Sequence, residues 1–472
     1  MIKCLPIVFG IDFNNDIPIL FGSFCKFAYY SYVNKWPIIA QEQYFDTFEK
    51  YNKDFLKEVF DINEIGQVND DMLSKLDCYK IDSNQTNKVI EEFHDREKAW
   101  ISLMNVMSKS LYSTLDLYIE EILKKYKNVK TIIVWRHNHT ITLLAKKYKL
   151  NVIEMELSAV RKRTYEFGLS YFQFSKKYSD VELNKRYDKF ANELSKSKKK
   201  IPFLTRKQIQ NLILSEDKLK LLKNGEMYDF GIALGLNSDY ETISSNSMKN
   251  EDMLKEILKI ENPENILIRK HPLDANYKFD NEEKFSIDNS KSSIEFITKC
   301  HKIVSSVSNT NFEAMIFGKT CYTLGNMPFA KFSYKNLNYN DEYVINLFDL
   351  NFLIFCYYVP YSLCLNQEYI NFRLSNPSEI DIYFKHYNYI MKKYGSNLNK
   401  DIVTTSIREK YIDTKKKIDD LKKSLEQSEI EKKNILISDE ELNNQIKNMT
   451  NSKSWKLTEP FRRLARYIRR EK

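Results

Sequence analysis

Between Thr131 and Met155 the chain reads TIIVWRHNHTITLLAKKYKLNVIEM. Thr131–Trp135 is apolar and rich in β-branched residues, which favours a strand. From Thr140 to Tyr148 the apolar residues fall at helical spacing, and Asn151–Met155 returns to a strand pattern. A strand, a helix and a second strand in so short a span predict a βαβ unit and hence a parallel sheet. The same alternation recurs further on. Tyr228–Leu236 (YDFGIALGL), Asn265–Lys270 (NILIRK), Lys302–Ser306 (KIVSS) and Thr320–Leu324 (TCYTL) read as strands. Met248–Ile260, Ile294–Cys300 and Asn311–Phe317 read as the helices between them. The expected fold is α/β, with two Rossmann-like domains facing a cleft. Proline cannot extend a ladder, so His271-Pro272 ends its strand and sets His271 at a carboxyl edge, where such sheets bind ligands.

The chain has 472 residues, 43% hydrophobic and 14% aromatic, enough for two or three cores. Only 10 residues are Gly, against a usual ~7%, which excludes collagen-like and Gly-rich-linker architectures. The seven cysteines are scattered, with no Cys-x-x-Cys pair, so a reducing compartment is expected. The N-terminus, MIKCLPIVFGIDFNND, reads as a first buried strand, and no uncharged stretch reaches the ~18 residues of a membrane span. The apolar Leu350–Leu365 is shorter and interrupted by Asn351 and Pro360, as expected of core. From Ser175 to Asn224 the chain is lysine-rich and helical, a connector with a solvated face. The expected domains are 1–226, an acceptor-side Rossmann-like domain with that connector; 227–340, a nucleotide-sugar-binding one; and 341–400, a helical part of the body.

The C-terminal segment differs in kind. Ile407, Tyr411, Thr414, Ile418, Leu421, Leu425 and Ser428 alternate four and three apart, and Ile435, Leu442, Ile446 and Met449 keep the register. Lys432 and Asp439 interrupt it. This predicts a coiled coil over 401–450 and a homo-oligomer, the alternative being a long helix that packs back on the body. In 453–472, eight Lys and Arg face two Glu, a net +6 of the chain's +9. Phe461, Leu464, Ala465 and Ile468 share one helical face with arginines opposite. The expectation for 451–472 is a basic amphipathic helix on an anionic membrane surface. With so little charge on the rest, no nucleic-acid partner is expected.

The chemistry-bearing stretch is ILIRKHP (Ile266–Pro272) followed by SSVSNTNFEAMIFGKTCYTLGNMPFA (Ser305–Ala330). A Ser/Asn/Thr turn opening a helix offers hydroxyls and backbone N–H groups to an anion, and His271 can donate to the same anion. Glu313 could accept hydrogen bonds from ribose hydroxyls. The plainer alternative is that Ser308 or Thr310 caps the helix and Glu313 favours its dipole. Gly318-Lys319-Thr320 ends like a phosphate loop but lacks its first glycine, Glu313 standing there. His137-Asn138-His139 has no companion ligand at metal spacing; it reads as a polar loop after a first-sheet strand, able to line the acceptor cleft.

These segments resemble the capsule-polysaccharide-biosynthesis group of GT-B glycosyltransferases, whose retaining β-Kdo transferases use CMP-Kdo. IEMELSAVRKRTYEFGLSYFQFS (from Ile153) is similar to that family's Glu-x-Gly segment, with Ser158 where it has Gly. GIALGLNSDYETI (from Gly231) is similar to its strand-and-Asp segment. SWKLTEPFRR resembles a terminal motif of surface-glycan glycosyltransferases. The resemblance spans about residues 130–330. It implies Asp239 as the nucleophile forming a covalent glycosyl-enzyme, Glu156 as the base on the acceptor hydroxyl, and His271 assisting departure of CMP. It further implies nucleotide-sugar contacts from His271, Pro272, Ser306, Ser308, Asn309, Thr310, Glu313, Arg269 and Lys270, with Arg161 on an acceptor or donor carboxylate. For Asp239 the alternative is a turn residue beside Asn237-Ser238.

The resulting expectation is transfer of a Kdo-like sugar from a CMP-sugar to a bacterial surface glycan (capsule, O-antigen or lipooligosaccharide), with retention. CMP-sugar is then a substrate, no cofactor or metal is expected, and the acceptor is a lipid-linked or soluble glycan. The expected location is cytoplasmic, peripheral on the inner face of the cell membrane. A sialyltransferase-like or other nucleotide-sugar transferase is the nearer alternative, and a non-catalytic nucleotide-binding coiled-coil scaffold the more distant one.

Overall fold

The computed structural model describes residues 3–11, 20–50, 68–162, 164–174, 180–222, 225, 227–236, 248–337, 343–395, 443–458, 460 and 462. The chain divides into two units, Met1–Thr404 and Thr405–Lys472.

The first unit holds two sheets. The N-terminal sheet contains β1 (Lys3–Val8), β2 (Ile38–Gln41), β3 (Cys78–Ile81), β4 (Val129–Trp135), β5 (Asn151–Leu157) and β6 (Leu169–Gln173). Side chains alternate along β1: Leu5 and Ile7 enter one apolar cluster, Cys4 and Val8 another. On β4, Ile132 and Val134 join the first cluster and Ile133 and Trp135 the second. A parallel sheet with both faces covered demands such runs, and this is why Thr131–Trp135 is apolar throughout. The second sheet comprises β7 (Tyr228–Ala233), β8 (Ile266–Arg269), β9 (Ser286–Ile287), β10 (Cys300–Ser305) and β11 (Thr320–Thr323), all parallel. Gly231 lies where the helix Ser293–Thr298 presses on β7; a Cβ there would sit 2.7 Å from the Cys300 sulfur.

A twelfth strand, β12 (Val359–Pro360), pairs antiparallel with β6. The first sheet runs β12-β6-β5-β4-β1-β2-β3, the second β11-β10-β7-β8-β9. In each, the second and third strands lie on one side of the first strand, the fourth and fifth on the other. The order reverses between β1 and β4, and again between β7 and β10. Those two points are where open α/β sheets leave crevices at their carboxyl ends.

Two expectations need amendment. The segment 341–400 is not helical alone, since it sends β12 back to the first sheet. The lysine-rich connector also has a packed face: its helix Asp180–Lys196 buries Leu183, Phe190 and Leu194. Arg186, on the same helix, is buried in an ion pair with Glu379 of the helix Glu379–Tyr394 (Nη2–Oε2 2.9 Å). Leu350–Leu365 is core, and carries a π-helical turn at Leu353–Tyr357.

In the second unit, Ile446 and Met449 of the heptad register are on a helix and 49% and 54% exposed. The Arg462 guanidinium stacks 3.7 Å over the Trp455 ring. Most of the predicted coiled coil (401–442) lies outside the described residues, as do Phe461, Leu464, Ala465 and Ile468 of the amphipathic face. Among the described residues no helix is long and apolar enough to cross a membrane.

Candidate active site

His271 comes two residues after β8, and Pro272 opens the short turn Pro272–Asp274, in which the Asp274 N–H donates to the His271 carbonyl at 2.9 Å. Ser306, Ser308 and Asn309 form the turn between β10 and the helix Thr310–Phe317. The Ser308 hydroxyl accepts the Thr310 N–H at 3.2 Å, and the N–H groups of Asn311 and Phe312 go to the carbonyls of Ser308 and Asn309. The capping alternative is therefore part of the picture, since these N–H groups are engaged within the turn. Ser306 Oγ and Asn309 Oδ1, by contrast, are buried without a hydrogen-bond partner. Buried polar atoms ordinarily find one, so this turn offers hydrogen bonding to an incoming group. Gly318 ends the helix in the left-handed conformation (φ 81°), making Gly318-Lys319-Thr320 a helix terminus rather than a phosphate loop.

Arg269 and Lys270 are committed to neighbours. The Arg269 guanidinium binds Asp288 and donates to the Ser290 carbonyl at 3.1 Å, while Lys270 Nζ meets Glu282 at 2.7 Å. Burial works to raise Asp288, but Ser290, Arg269 and Lys299 pull it below the ordinary aspartate value. Both cations therefore hold the carboxyl edge of β8 as ion pairs.

Glu313 is buried. Its Oε1 accepts hydrogen bonds from the Tyr165 hydroxyl at 2.5 Å and the Ser293 hydroxyl at 2.8 Å. Burial raises its carboxyl above the ordinary value, opposed by those two hydroxyls and by the charges of Arg161 and Arg269. Tyr165 belongs to the loop after β5, so first-lobe and second-lobe residues meet at this carboxylate. Arg161 is in the same loop, its Nε donating to the Ser158 carbonyl at 3.3 Å.

Glu156 sits on β5, its side chain 14% exposed. It accepts from Arg136 Nε at 2.5 Å, Trp135 Nε1 at 3.2 Å and the Leu157 N–H at 2.8 Å. Asp239 lies outside the described residues. The structure thus brings Arg161 and Glu313 within electrostatic reach and leaves Glu156 in its own cluster with Arg136 and Trp135.

Sequence reasoning missed Tyr165, Ser293 and a buried pair on the first sheet. Glu154 of β5 accepts from His137, which follows β4, at 2.5 Å between Oε1 and Nδ1; both side chains are 2% exposed. The available signal was the acid itself: Glu154 occupies an inward position of NVIEMEL, where a carboxylate needs a partner. His137 and Asn138 line a narrow crevice of about 20 Å³ between the carboxyl ends of β1 and β4. Trp100, Arg136, Phe9 and Ile141 complete its character.

Residues 13–182 match the family model described as the glycosyltransferase 99 family N-terminal domain. Among solved structures the chain is similar to Thermosulfurimonas dismutans KpsC, beta Kdo 2,7 transferase, at 16% identity over 58% of this chain and 89% of that one, TM-score 0.34. It is also similar to UDP-GlcNAc 2-epimerase from Methanocaldococcus jannaschii (15% identity, 69% and 85% covered, TM-score 0.28). UDP-GlcNAc 2-epimerase from Neisseria meningitidis is a third (12% identity, 88% and 100% covered, TM-score 0.27). No curated protein matches the sequence.

Proposed function

We propose that the chain is a glycosyltransferase moving a Kdo-like sugar from its CMP-activated form onto a bacterial surface glycan. One arrangement carries this reading. His271 follows β8, Asp239 belongs to the segment after β7, and Ser306–Thr310 follow β10, and these strands are neighbours in the order β10-β7-β8. Three segments chosen by resemblance thus follow adjoining strands that flank the switch point between β7 and β10. The match of 13–182 to a glycosyltransferase domain supports the reaction class.

In the proposed chemistry the Asp239 carboxylate attacks the anomeric carbon as its bond to the CMP oxygen breaks. His271 donates to the departing phosphate. Glu156 then takes the acceptor hydroxyl proton as that oxygen displaces Asp239, so two inversions give retention. The basic tail 453–472 would hold the enzyme at an anionic membrane, and the heptads would join copies.

Calorimetric titration of CMP in EDTA tests the donor. Binding that weakens in His271→Ala supports it; metal-dependent UDP binding without CMP binding overturns it. Intact-mass analysis after incubation with CMP-Kdo alone should show a sugar adduct that Asp239→Ala lacks. Deleting 401–472 should release the protein from anionic liposomes, and a truncated protein that still floats with them refutes the membrane role.

A further inference from the structure

Glu313 lies four residues after Asn309, so one helical turn, about 5.4 Å, separates it from the Ser306–Thr310 turn. A phosphate held at that turn would set a nucleotide's sugar beside this carboxylate, whose two oxygens differ in their surroundings. Among the described residues both donors meet Oε1, the Tyr165 hydroxyl at 2.5 Å and the Ser293 hydroxyl at 2.8 Å. Two donors fill the lone pairs of Oε1 and leave Oε2 for an incoming one.

The two hydroxyls are themselves fixed. Tyr165 is buried in the loop between β5 and β6, its N–H donating to the Arg161 carbonyl at 2.8 Å. On either side of it, the Thr164 carbonyl accepts from Lys218 Nζ, and the Glu166 N–H donates to the Ile213 carbonyl at 2.9 Å. Those partners belong to the connector, on its helices Glu216–Leu221 and Arg206–Ile213. Ser293 opens the helix Ser293–Thr298, behind a Ser292 cap that accepts the Glu295 N–H at 3.3 Å. Two firmly mounted donors on one oxygen set the plane of the carboxylate and hence the direction of Oε2. Ser306 Oγ and Asn309 Oδ1, buried without a partner, mark the same helix end as the side from which a ligand arrives.

We propose that Tyr165 and Ser293 are positioning residues that make Glu313 the acceptor for a single ribose hydroxyl of the bound nucleotide. A carboxylate with both oxygens open could take both hydroxyls of a ribose; here one oxygen is already occupied. The inference deepens the nucleotide-sugar reading of this site and rests on it. It gives the first lobe a part in the second lobe's specificity, since Tyr165 comes from the loop after β5.

Calorimetric titration of the whole chain with CMP, 2′-deoxy-CMP and 3′-deoxy-CMP, and with the same three forms of UMP, tests this in wild type, Tyr165→Phe and Ser293→Ala. The loss of one hydrogen bond is worth about fivefold in affinity. Wild type should therefore bind one of the two deoxy forms about fivefold or more weakly. In both variants that preference should shrink to about twofold or less, while the other deoxy form keeps its wild-type ratio to the parent nucleotide. A merely structural role would weaken all three forms by one factor and leave the ratios unchanged, which overturns the proposal. So does tighter binding in Tyr165→Phe, the mark of a hydroxyl that competes with the ligand. Ser293→Ala leaves the Tyr165 contact intact and decides the matter should Tyr165→Phe fail to fold. The expected pattern in the UMP series alone sinks the CMP donor and leaves the inference standing; CMP binding with no hydroxyl preference does the reverse. Binding of neither nucleotide overturns both.

Discussion

The Tyr165 hydroxyl donates to Glu313 Oε1 at 2.5 Å, joining residues 148 apart across the two lobes, both side chains buried. A buried carboxylate that loses a donor bears the desolvation cost itself, so Tyr165→Phe should destabilise the protein by about 1–3 kcal/mol. Urea unfolding of Tyr165→Phe, Glu313→Gln and the double variant measures the coupling. The double variant should lose less than the two single losses combined; simple additivity would show that the bond does no joining.

Asp349 gives a pH signature. Burial raises its carboxyl to about 6, opposed by hydrogen bonds from Tyr187 and Asn346 and the charge of Lys331. The Tyr187 hydroxyl reaches Oδ1 and the Asn346 amide Oδ2, each at 2.6 Å. A folded carboxyl with a raised value binds its proton more tightly than the unfolded chain does. Its contribution is present below about pH 4 and is lost as pH rises towards about 6. Asp349→Asn should remove that decline, a difference of up to about 3 kcal/mol between pH 4 and 7. Thermal melts across this window provide the check, and parallel pH profiles in wild type and variant would contradict it.

What the sequence made legible follows from range. Strands such as Thr131–Trp135 and Asn265–Lys270 are local patterns, and Gly318 marks its helix end by its own conformational freedom. The carboxyl-edge positions of His271 and Ser306–Thr310 follow from those strands. The partners are another matter. Tyr165 and Glu313, Arg186 and Glu379, and β6 and β12 meet only after the lobes assemble, and no periodicity records such pairs. β12 was hidden because a strand of two residues ending in Pro360 leaves no alternation to read. Glu154 was visible as an acid in an apolar strand, but His137 as its partner depends on how the chain turns at Arg136.

Arg186 donates to Glu379 and to the carbonyls of Cys356 (2.7 Å) and Tyr357 (3.2 Å), tying the connector to the C-terminal helices. Removing one member strands a buried charge, so Arg186→Met should cost about 3–5 kcal/mol. Adding Glu379→Met removes that charge too, and the double variant should recover part of the loss. Calorimetric melting temperatures decide it: a double variant less stable than Arg186→Met would mean the cost lies in packing.

Glu156 is held by three donors, from Arg136, Trp135 and the Leu157 backbone, and a carboxylate is the acceptor-only group that suits them all. If it takes the acceptor proton, Glu156→Gln should cut transfer to a sugar by about 10²–10⁴-fold, the usual worth of a positioned base. Azide ion needs no deprotonation, so the same variant should still pass the donor sugar to azide at close to the wild-type rate. A group that only braces Arg136 and Trp135 would slow both reactions alike when altered. Product analysis with CMP-Kdo, with and without azide, separates the two roles, and an equal loss in both would remove Glu156 from the chemistry.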